Sequence, residues 1–476
     1  MSIFVGRERE LAILQGLFEK TVASLVVIKG RRRIGKSTLL QHFGKNLKTY
    51  IFTGIPPTPK TTAESQHEEF TRQMSRLFNL PVIKFEDWGD IFWFLADKVK
   101  KGKIILVFDE ISWIGSKDPD FLGKLKTAWD MNFKKNDRFM FVLCGSVSAW
   151  IEKNILRSTG FVGRISSTIS LNELSLEECN FFWRDKNKNI SAYEKFKLLA
   201  ITGGIPRYLE EIRPSLSAEI NIKDMCFSPE GFLFNEFDQI FSDIFLVRSE
   251  IYKKIILLLV ERSLSASEIC KYLNVTLNRV VSDYLEELVQ AGFISRDYSW
   301  HIADKKISKL SYYRLKDNYI RFYLKYIFPH RDKIISGAFQ YKNISLLPGF
   351  STIMGYQFEN LVLNNRRKIW DILRISPDEI VWDNPFFQTK RVDREACQID
   401  YLIQTRFGCL YVCEVKFSAQ EIKKDIIKEL QEKIEKLKKP KGISCRPVLI
   451  HVNGLQDSIL EEDYFSNIID FEDLLK

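Results

Sequence analysis

The residues best equipped for chemistry lie near the start of the chain. Gly30-Arg31-Arg32-Arg33-Ile34-Gly35-Lys36-Ser37 fits the pattern G-x-x-x-x-G-K-[ST]. Its two glycines let the backbone curl so that N–H groups face phosphate oxygens, and a following helix N-terminus adds a favourable dipole. Lys36 then sets an ammonium at the β/γ-phosphates, and Ser37 offers a hydroxyl to Mg²⁺. Arg33, Ile34 and Thr38 belong to the same loop and helix start, so the expected nucleotide contacts run from Gly30 to Thr38. A second element, Ile104-Ile105-Leu106-Val107-Phe108-Asp109-Glu110, is an apolar run ending in two carboxylates. Such a run reads as a buried central strand whose C-terminal end opens into a site. Asp109 would reach Mg²⁺ through water, and Glu110 would orient or deprotonate the attacking water. Together the two motifs imply binding of a nucleoside triphosphate, ATP by expectation, with hydrolysis.

Elements that can position these residues follow from the apolar pattern. Short β-rich runs at Leu25–Lys29, Tyr50–Thr53, Ile104–Asp109, Phe139–Cys144 and Ser166–Leu171 alternate with amphipathic segments, as in an α/β domain with a parallel sheet. From Ser175 to about Val247 the apolar spacing is helical. Ser267–Tyr272, Leu277–Ala291 and Phe293–Arg296 then read as helix, turn, helix and strand, the pattern of a winged helix. Its second helix carries Val280, Tyr284, Leu285, Leu288 and Val289 on one face. Thr276, Asn278 and Arg279 head that helix, while Asp283, Glu286 and Glu287 follow on it, so DNA contact and a packing or partner-binding role both stay open. An aromatic-rich helical connector, Leu315–Phe328, ends at Pro329.

Around the nucleotide motifs the chain resembles the AAA-like archaeal ATPase family, within the signal-transduction ATPases. The resemblance rests on Phe4-Val5-Gly6-Arg7-Glu8-Arg9-Glu10-Leu11, on Arg31-Arg32-Arg33-Ile34 between the loop glycines, and on Leu143-Cys144-Gly145-Ser146. Gly163-Arg164 and Gly203-Gly204-Ile205-Pro206-Arg207-Tyr208 extend it. The resemblance implies that Ser146 stands near the γ-phosphate and that Arg164 is an arginine finger or phosphate sensor. It also implies that Pro206 and Arg207 begin a lid helix meeting the nucleotide. The chain reads Thr159-Gly160-Phe161-Val162 where that family commonly has Pro-Leu-Tyr before Gly-Arg.

The last ~125 residues return to mixed α/β character, with a Lys-rich helix at Ala419–Leu437. Gln398-Ile399-Asp400-Tyr401-Leu402-Ile403 and Leu410-Tyr411-Val412-Cys413-Glu414-Val415-Lys416 flank a turn, Arg406–Gly408, in which Gly408 takes positive φ. Counting back from that loop sets Asp400 directly opposite Glu414 and Gln398 opposite Lys416. Residues two apart share a face, so Glu414 and Lys416 point the same way. Two facing carboxylates form a hard-oxygen site for Mg²⁺ or Mn²⁺, and a neighbouring Lys can activate water. This constellation resembles the PD-(D/E)xK nuclease fold, which implies Asp400, Glu414 and Lys416 as catalytic residues and Glu359 as a further metal-side acid. Ile399 stands where the motif's proline would be. A surface ion-pair network tied by Lys416 and Lys423 is the competing reading.

The expected architecture is therefore an α/β P-loop domain with a parallel sheet at 1–172, a helical lid at 173–247 and a winged helix-turn-helix at 248–312. A helical connector at 313–350 and a restriction-endonuclease-like α/β domain at 351–476 complete it. The net charge of +10 permits DNA as a partner, and a protein partner or an oligomer stays open. Eight scattered cysteines without a C-x-x-C pair read as reduced, buried thiols. No run approaches the ~20 apolar residues that span a bilayer, and MSIFVGREREL lacks the apolar stretch of a signal peptide, so a cytoplasmic protein without a membrane partner is expected.

Overall fold

The computed structural model describes the chain except residues 1–3, 57, 59, 116, 147, 245–248, 340–342 and 393, and the side chains at 148, 185, 241–244 and 249. Contacts divide it into two compact units, the first running to Asn172 and the second beginning at Glu173.

The first unit is built on β1 (Ser24–Lys29), β2 (Thr49–Thr53), β3 (Ile104–Asp109), β4 (Phe139–Gly145) and β5 (Ile165–Ser170). They form one sheet in the order β2-β3-β4-β1-β5 with every pair parallel. Each of the five expected runs became a strand, shifted by one residue at most at either end. β3 and β4 are buried at every position, as strands covered on both faces must be. The core beside them is aromatic. Phe108 meets Phe141 edge-on at 4.8 Å and Trp88 meets Phe121 at 4.9 Å, geometries worth about 0.5–1.5 kcal/mol each beyond their buried area.

The second unit opens with helices at Leu176–Asn180, Ala192–Thr202, Pro206–Leu209, Ala218–Cys226 and Phe232–Ile244. Ser175, Ser191 and Ser217 cap three of them by accepting from a backbone N–H in the first turn. The expected boundary between Val247 and Arg248 lies outside the described residues. Helices Ala266–Leu273 and Arg279–Gln290 follow, capped by Ser265 and Asn278, and lead into an antiparallel hairpin of β6 (Ile294–Trp300) and β7 (Ile307–Leu315). The buried stripe of the second helix is Val281, Leu285 and Leu288, and Val280 is 52% exposed. Five positions from Leu285 is about 140° around a helix, so Val280 cannot share that face.

β8 (Ile380–Gln388), β9 (Cys397–Thr405), β10 (Cys409–Phe417), β11 (Ser444–Val452) and β12 (Asn467–Asp470) make a mixed sheet ordered β12-β11-β10-β9-β8. β8, β9 and β10 pair antiparallel, while β10, β11 and β12 pair parallel. The crossover from β10 to β11 carries a helix at Asp425–Lys436, shorter than the expected Ala419–Leu437. Ile422 bridges to Leu455 instead, which holds the backbone before Asp425 extended.

The β6–β7 hairpin does not stand apart from this sheet. β7 runs past residue 312, the expected end of its domain. Trp300 and Ile302 share a core with Phe386, Ile399 and Leu402. Trp300 Nε1 donates to Gln404 Oε1 at 2.6 Å, and Gln404 Nε2 donates to the Ile302 carbonyl at 2.8 Å. Trp300→Phe keeps most of the ring but strands a buried amide oxygen, a loss of about 1–3 kcal/mol. Hydrogen exchange should then accelerate in β8 and β9 as well as in the hairpin. Unchanged exchange in β8 and β9 would show that the hairpin and sheet unfold independently.

Candidate functional site

Parallel strands bring their C-terminal ends to one edge, and there the polar residues of the first unit collect. The loop after β1 curls into the start of the helix Lys36–Gly44. A Cβ on Gly30 would stand 2.6 Å from the Leu171 carbonyl oxygen, so only glycine fits. Arg33 takes φ 71, a left-handed conformation that costs a side-chain-bearing residue energy and marks a loop shaped for something other than stability. Lys36 Nζ donates to the carbonyls of Gly30 (3.0 Å) and Arg31 (3.1 Å), folded back over the loop it would share with phosphate oxygens. Ser37 and Thr38 are exposed in the first helical turn, whereas the Ile34 side chain is buried and leaves only its backbone to a ligand.

Ser37 Oγ donates to Asp109 Oδ2 at 2.6 Å. A hydroxyl and a carboxylate brought together at the mouth of a phosphate loop fit Mg²⁺, which takes few protein oxygens and the substrate phosphates. Next to them Glu110 sits at φ 52, again left-handed, with its N–H donating to Asp109 Oδ1 at 3.1 Å. The Ser146 N–H and Oγ both donate to Glu110 Oε2, at 3.0 and 2.8 Å. The implied phosphate sensor and the implied water-activating acid therefore hold each other. Cys144, at the end of β4, is buried beside them, and burial followed by the charge of Asp109 pushes its thiol far above the usual range. It is inert as a nucleophile.

One placement differs from what the resemblance implied. Arg164 immediately precedes β5, and Ile165 lies level with Leu25 at the start of β1. It thus stands at the opposite end of the strands from the phosphate loop, a separation of roughly 15–20 Å at the ordinary rise per residue. There it donates to both oxygens of Asp130, at 2.8 to 3.2 Å. It is no phosphate sensor for its own chain's loop. In the second unit, Pro206 starts its short helix as expected, and Arg207 pairs with Glu210 and Glu211 and stacks on Phe232. Gly204 lies against the Leu174 backbone with no room for a Cβ.

Sequence reasoning missed a brace. Arg7 is buried at φ 64 and donates to the carbonyls of Ile34 (3.1 Å) and Asn172 (2.7 Å), tying the N-terminal box to the phosphate loop and to the segment after β5. The Gly6-Arg7-Glu8 string was visible, but nothing local in it names partners 27 and 165 residues away.

The C-terminal constellation forms on the expected register. Leu410 pairs with Gln404, Val412 with Leu402 and Cys413 with Tyr401, across a turn in which Gly408 takes φ 74. Beyond the last pair, Asp400 Oδ2 accepts from the Val415 N–H at 3.0 Å. Desolvation, then the charge of Asp400, pushes both Glu359 and Glu414 above the usual carboxylate range. Glu359 lies on the helix Phe350–Asn364 and completes this electrostatic group. The lysine differs from expectation. Lys416 Nζ donates to Glu429 at 2.9 Å, while Lys433, from the crossover helix, donates to both oxygens of Glu414 at 2.8 and 2.6 Å. Among the described residues no group of three His, Cys, Asp or Glu is drawn together tightly enough to hold a metal ion. As arranged, these residues do not fit a metal.

A parallel sheet with a phosphate loop after β1 and paired acids at the end of β3 defines a P-loop nucleoside triphosphatase. Residues 4–212 are similar to the family described as an ATPase domain predominantly from Archaea, and with the phosphate loop and its acids in place the protein is an ATPase. The chain is 27% identical over 370 residues to uncharacterized protein MJECL04 of Methanocaldococcus jannaschii, covering 75% of this chain and 76% of that one. An uncharacterized ATP-binding protein of the same organism is 39% identical over 46 residues, 10% of this chain and 78% of that one. Among solved structures, the Walker-type ATPase PABY2304 of Pyrococcus abyssi aligns with a TM-score of 0.47 at 18% identity, over 67% of this chain and 96% of its own.

Ser146→Ala should cut the rate of ATP hydrolysis by about 10- to 100-fold while ATP affinity hardly moves, since it loosens an acid that must be well placed. A loss of affinity with turnover intact would instead put Ser146 on the nucleotide. For Arg164, its hydrogen bonds hold the Asp130 carboxyl well below the usual range, so their stabilisation is present above an aspartate's ordinary pKa of ~3.9 and fades as pH falls further. Arg164→Leu should lower the melting temperature at pH 7, and the gap from wild type should close on acidification below about pH 4. A gap that persists at low pH would mean that the ion pair is not its source.

Proposed function

We propose that the protein is an ATP-driven switch coupled to a DNA-directed, nuclease-like C-terminal domain. The observation that carries the switch is the joined arrangement of Ser37 with Asp109 and of Ser146 with Glu110. In this reading Lys36 neutralises the β/γ-phosphates, and Ser37 and Asp109 hold Mg²⁺, which supplies charge neutralisation between the phosphates when bound. Loop residues Gly30, Arg33, Ile34, Gly35 and Thr38 surround the phosphates mainly through their backbone. Glu110, held off by Ser146, takes the proton of the attacking water once Ser146 turns toward the γ-phosphate. Arg164, at the far end of the sheet, serves a neighbouring subunit's nucleotide if the protein assembles, as an arginine finger acts in trans. Pro206 and Arg207 belong to a lid that responds to the nucleotide.

Support for the nuclease-like half is the β9–β10 register, which continued by one pair sets Asp400 opposite Glu414, with the charges of both bearing on Glu359. The helices Ala266–Leu273 and Arg279–Gln290 with the β6–β7 hairpin fit a winged helix. One observation favours a second reading, a regulatory ATPase whose C-terminal part is a binding platform. The end of the first helix, the turn and the second helix of that motif expose Tyr272, Val275, Leu277 and Val280 together with Asp283 and Glu286. Apolar and acidic side chains suit a protein partner better than a phosphate backbone.

Cleavage of plasmid, linear and single-stranded DNA with Mg²⁺ or Mn²⁺, with and without ATP, separates the readings. Under the nuclease reading Glu414→Ala abolishes cutting while ATP hydrolysis persists, and Lys36→Ala removes the ATP dependence. No cutting under any condition, with ATPase activity intact, would replace it with the platform.

A further inference from the structure

A buried arginine lies against the phosphate loop and takes part in no step of the nucleotide chemistry. Arg7 is 6% exposed and sits at φ 64, so it is kept in place against both desolvation and backbone strain. Its Nη2 donates to two carbonyls at once, Ile34 at 3.1 Å and Asn172 at 2.7 Å. The second carbonyl belongs to a fixed frame. The Leu171 N–H donates to the Lys29 carbonyl at 2.8 Å, which locks the chain just before Asn172 to the end of β1. The first carbonyl belongs to the loop itself, between Arg33 at φ 71 and Gly35 at φ 89. One guanidinium nitrogen therefore ties a peptide of the loop to the sheet beneath it.

We propose that Arg7 is a positioning residue for the nucleotide phosphates, acting through the Ile34–Gly35 peptide. This rests on the reading of Gly30–Ser37 as the site of those phosphates. A trans peptide is planar, with its carbonyl and its N–H pointing in opposite directions. The described residues contain no cis peptide, so an Ile34 carbonyl turned to Arg7 sends the Gly35 N–H the other way. Among the described residues no acceptor meets that N–H. A donor at the turn into a helix N-terminus, next to the Lys36 ammonium, suits a phosphate oxygen. Glycine populates both signs of φ, so residue 35 by itself does not resist a flip of the peptide. The brace supplies that resistance, and Arg7 sets the aim of a donor it does not touch.

The test is calorimetric titration of the full-length protein, well below its melting temperature, with ADP, a non-hydrolysable ATP analogue and inorganic pyrophosphate in Mg²⁺. Pyrophosphate carries phosphates without base or sugar, so it reads the loop alone. Arg7→Met should weaken all three by about tenfold, the worth of one hydrogen bond to a charged group, and Arg7→Lys, which keeps a donor, by less. KM for ATP should rise while kcat falls by no more than about threefold, because this donor holds ground state and transition state alike. If Arg7→Met does not fold, Arg7→Gln carries the same expectation. A lower melting temperature with all three affinities unchanged would overturn the proposal and leave Arg7 a stabilising residue only. Weaker ADP binding with pyrophosphate unaffected would overturn it as well, since the effect would then lie at the base or sugar. Wild-type binding that survives Lys36→Ala would instead remove the phosphate-loop reading on which the brace depends.

Discussion

Everything in the ATPase unit depends on the direction of its strands. Because β1, β3 and β4 run parallel and adjacent, whatever follows each of them emerges at one edge. Gly30 to Ser37, Asp109 with Glu110, and Ser146 are separated by tens of residues in the chain, yet one hydrogen bond joins the first pair of groups and two join the second. The same rule works against Arg164. It precedes its strand where the others follow theirs, so parallel pairing carries it to the opposite edge. A residue's side of the strand decides its chemistry here more firmly than any local motif.

That edge is built at the expense of local comfort. Arg33 and Glu110 both adopt left-handed backbone conformations without being glycine, and Arg7, which braces the loop, does the same. Strain of this kind costs about 1–3 kcal/mol per residue and persists only where surrounding contacts over-determine it. The surrounding contacts are identifiable. Fully buried β3 and β4 hold the base of Glu110, and Arg7 clamps Ile34. The rigid aromatic core therefore serves the site by absorbing its strain.

In the second unit the corresponding problem is buried charge. Arg314 is paired with Asp297, Lys433 with Glu414, and Arg321 donates to the carbonyls of Val260 and Leu315. Ion pairs out of water add little net stability, but breaking one leaves a charge that costs several kcal/mol. Their effect is selective: a hairpin or helix in the wrong register would strand its charge. Asn360 illustrates this, donating to the Leu315 carbonyl and to Asn318 Oδ1, so the helix bearing Glu359 is set against β7 by polar contacts rather than by apolar fit alone.

Legibility follows from the range over which each feature is decided. The five strands of the first sheet and the β9–β10 register are fixed by neighbours within a short run or a hairpin, and each was readable from the chain. The phosphate-loop chemistry was readable because its residues are contiguous. Features set by distant partners were not. Val280 was assigned to the buried face because periodicity alone does not fix the phase of a stripe when Val280 and Val281 are both apolar. The tie of Trp300 to Gln404 joins segments 104 residues apart, and no composition shift marks it. The sharpest case is the lysine of the carboxylate cluster. The motif reading assigned Lys416 because it follows Glu414 by two on one strand. A helix returning over that face offers Glu429 and Lys433 at i, i+4 spacing, one turn apart on a single face. Once such a helix docks, each strand charge meets an opposite partner of the helix, and the pairing within the strand is lost. An alternation of Lys and Glu along a crossover helix is thus a warning, legible in sequence, that lysines on the covered strand are spoken for.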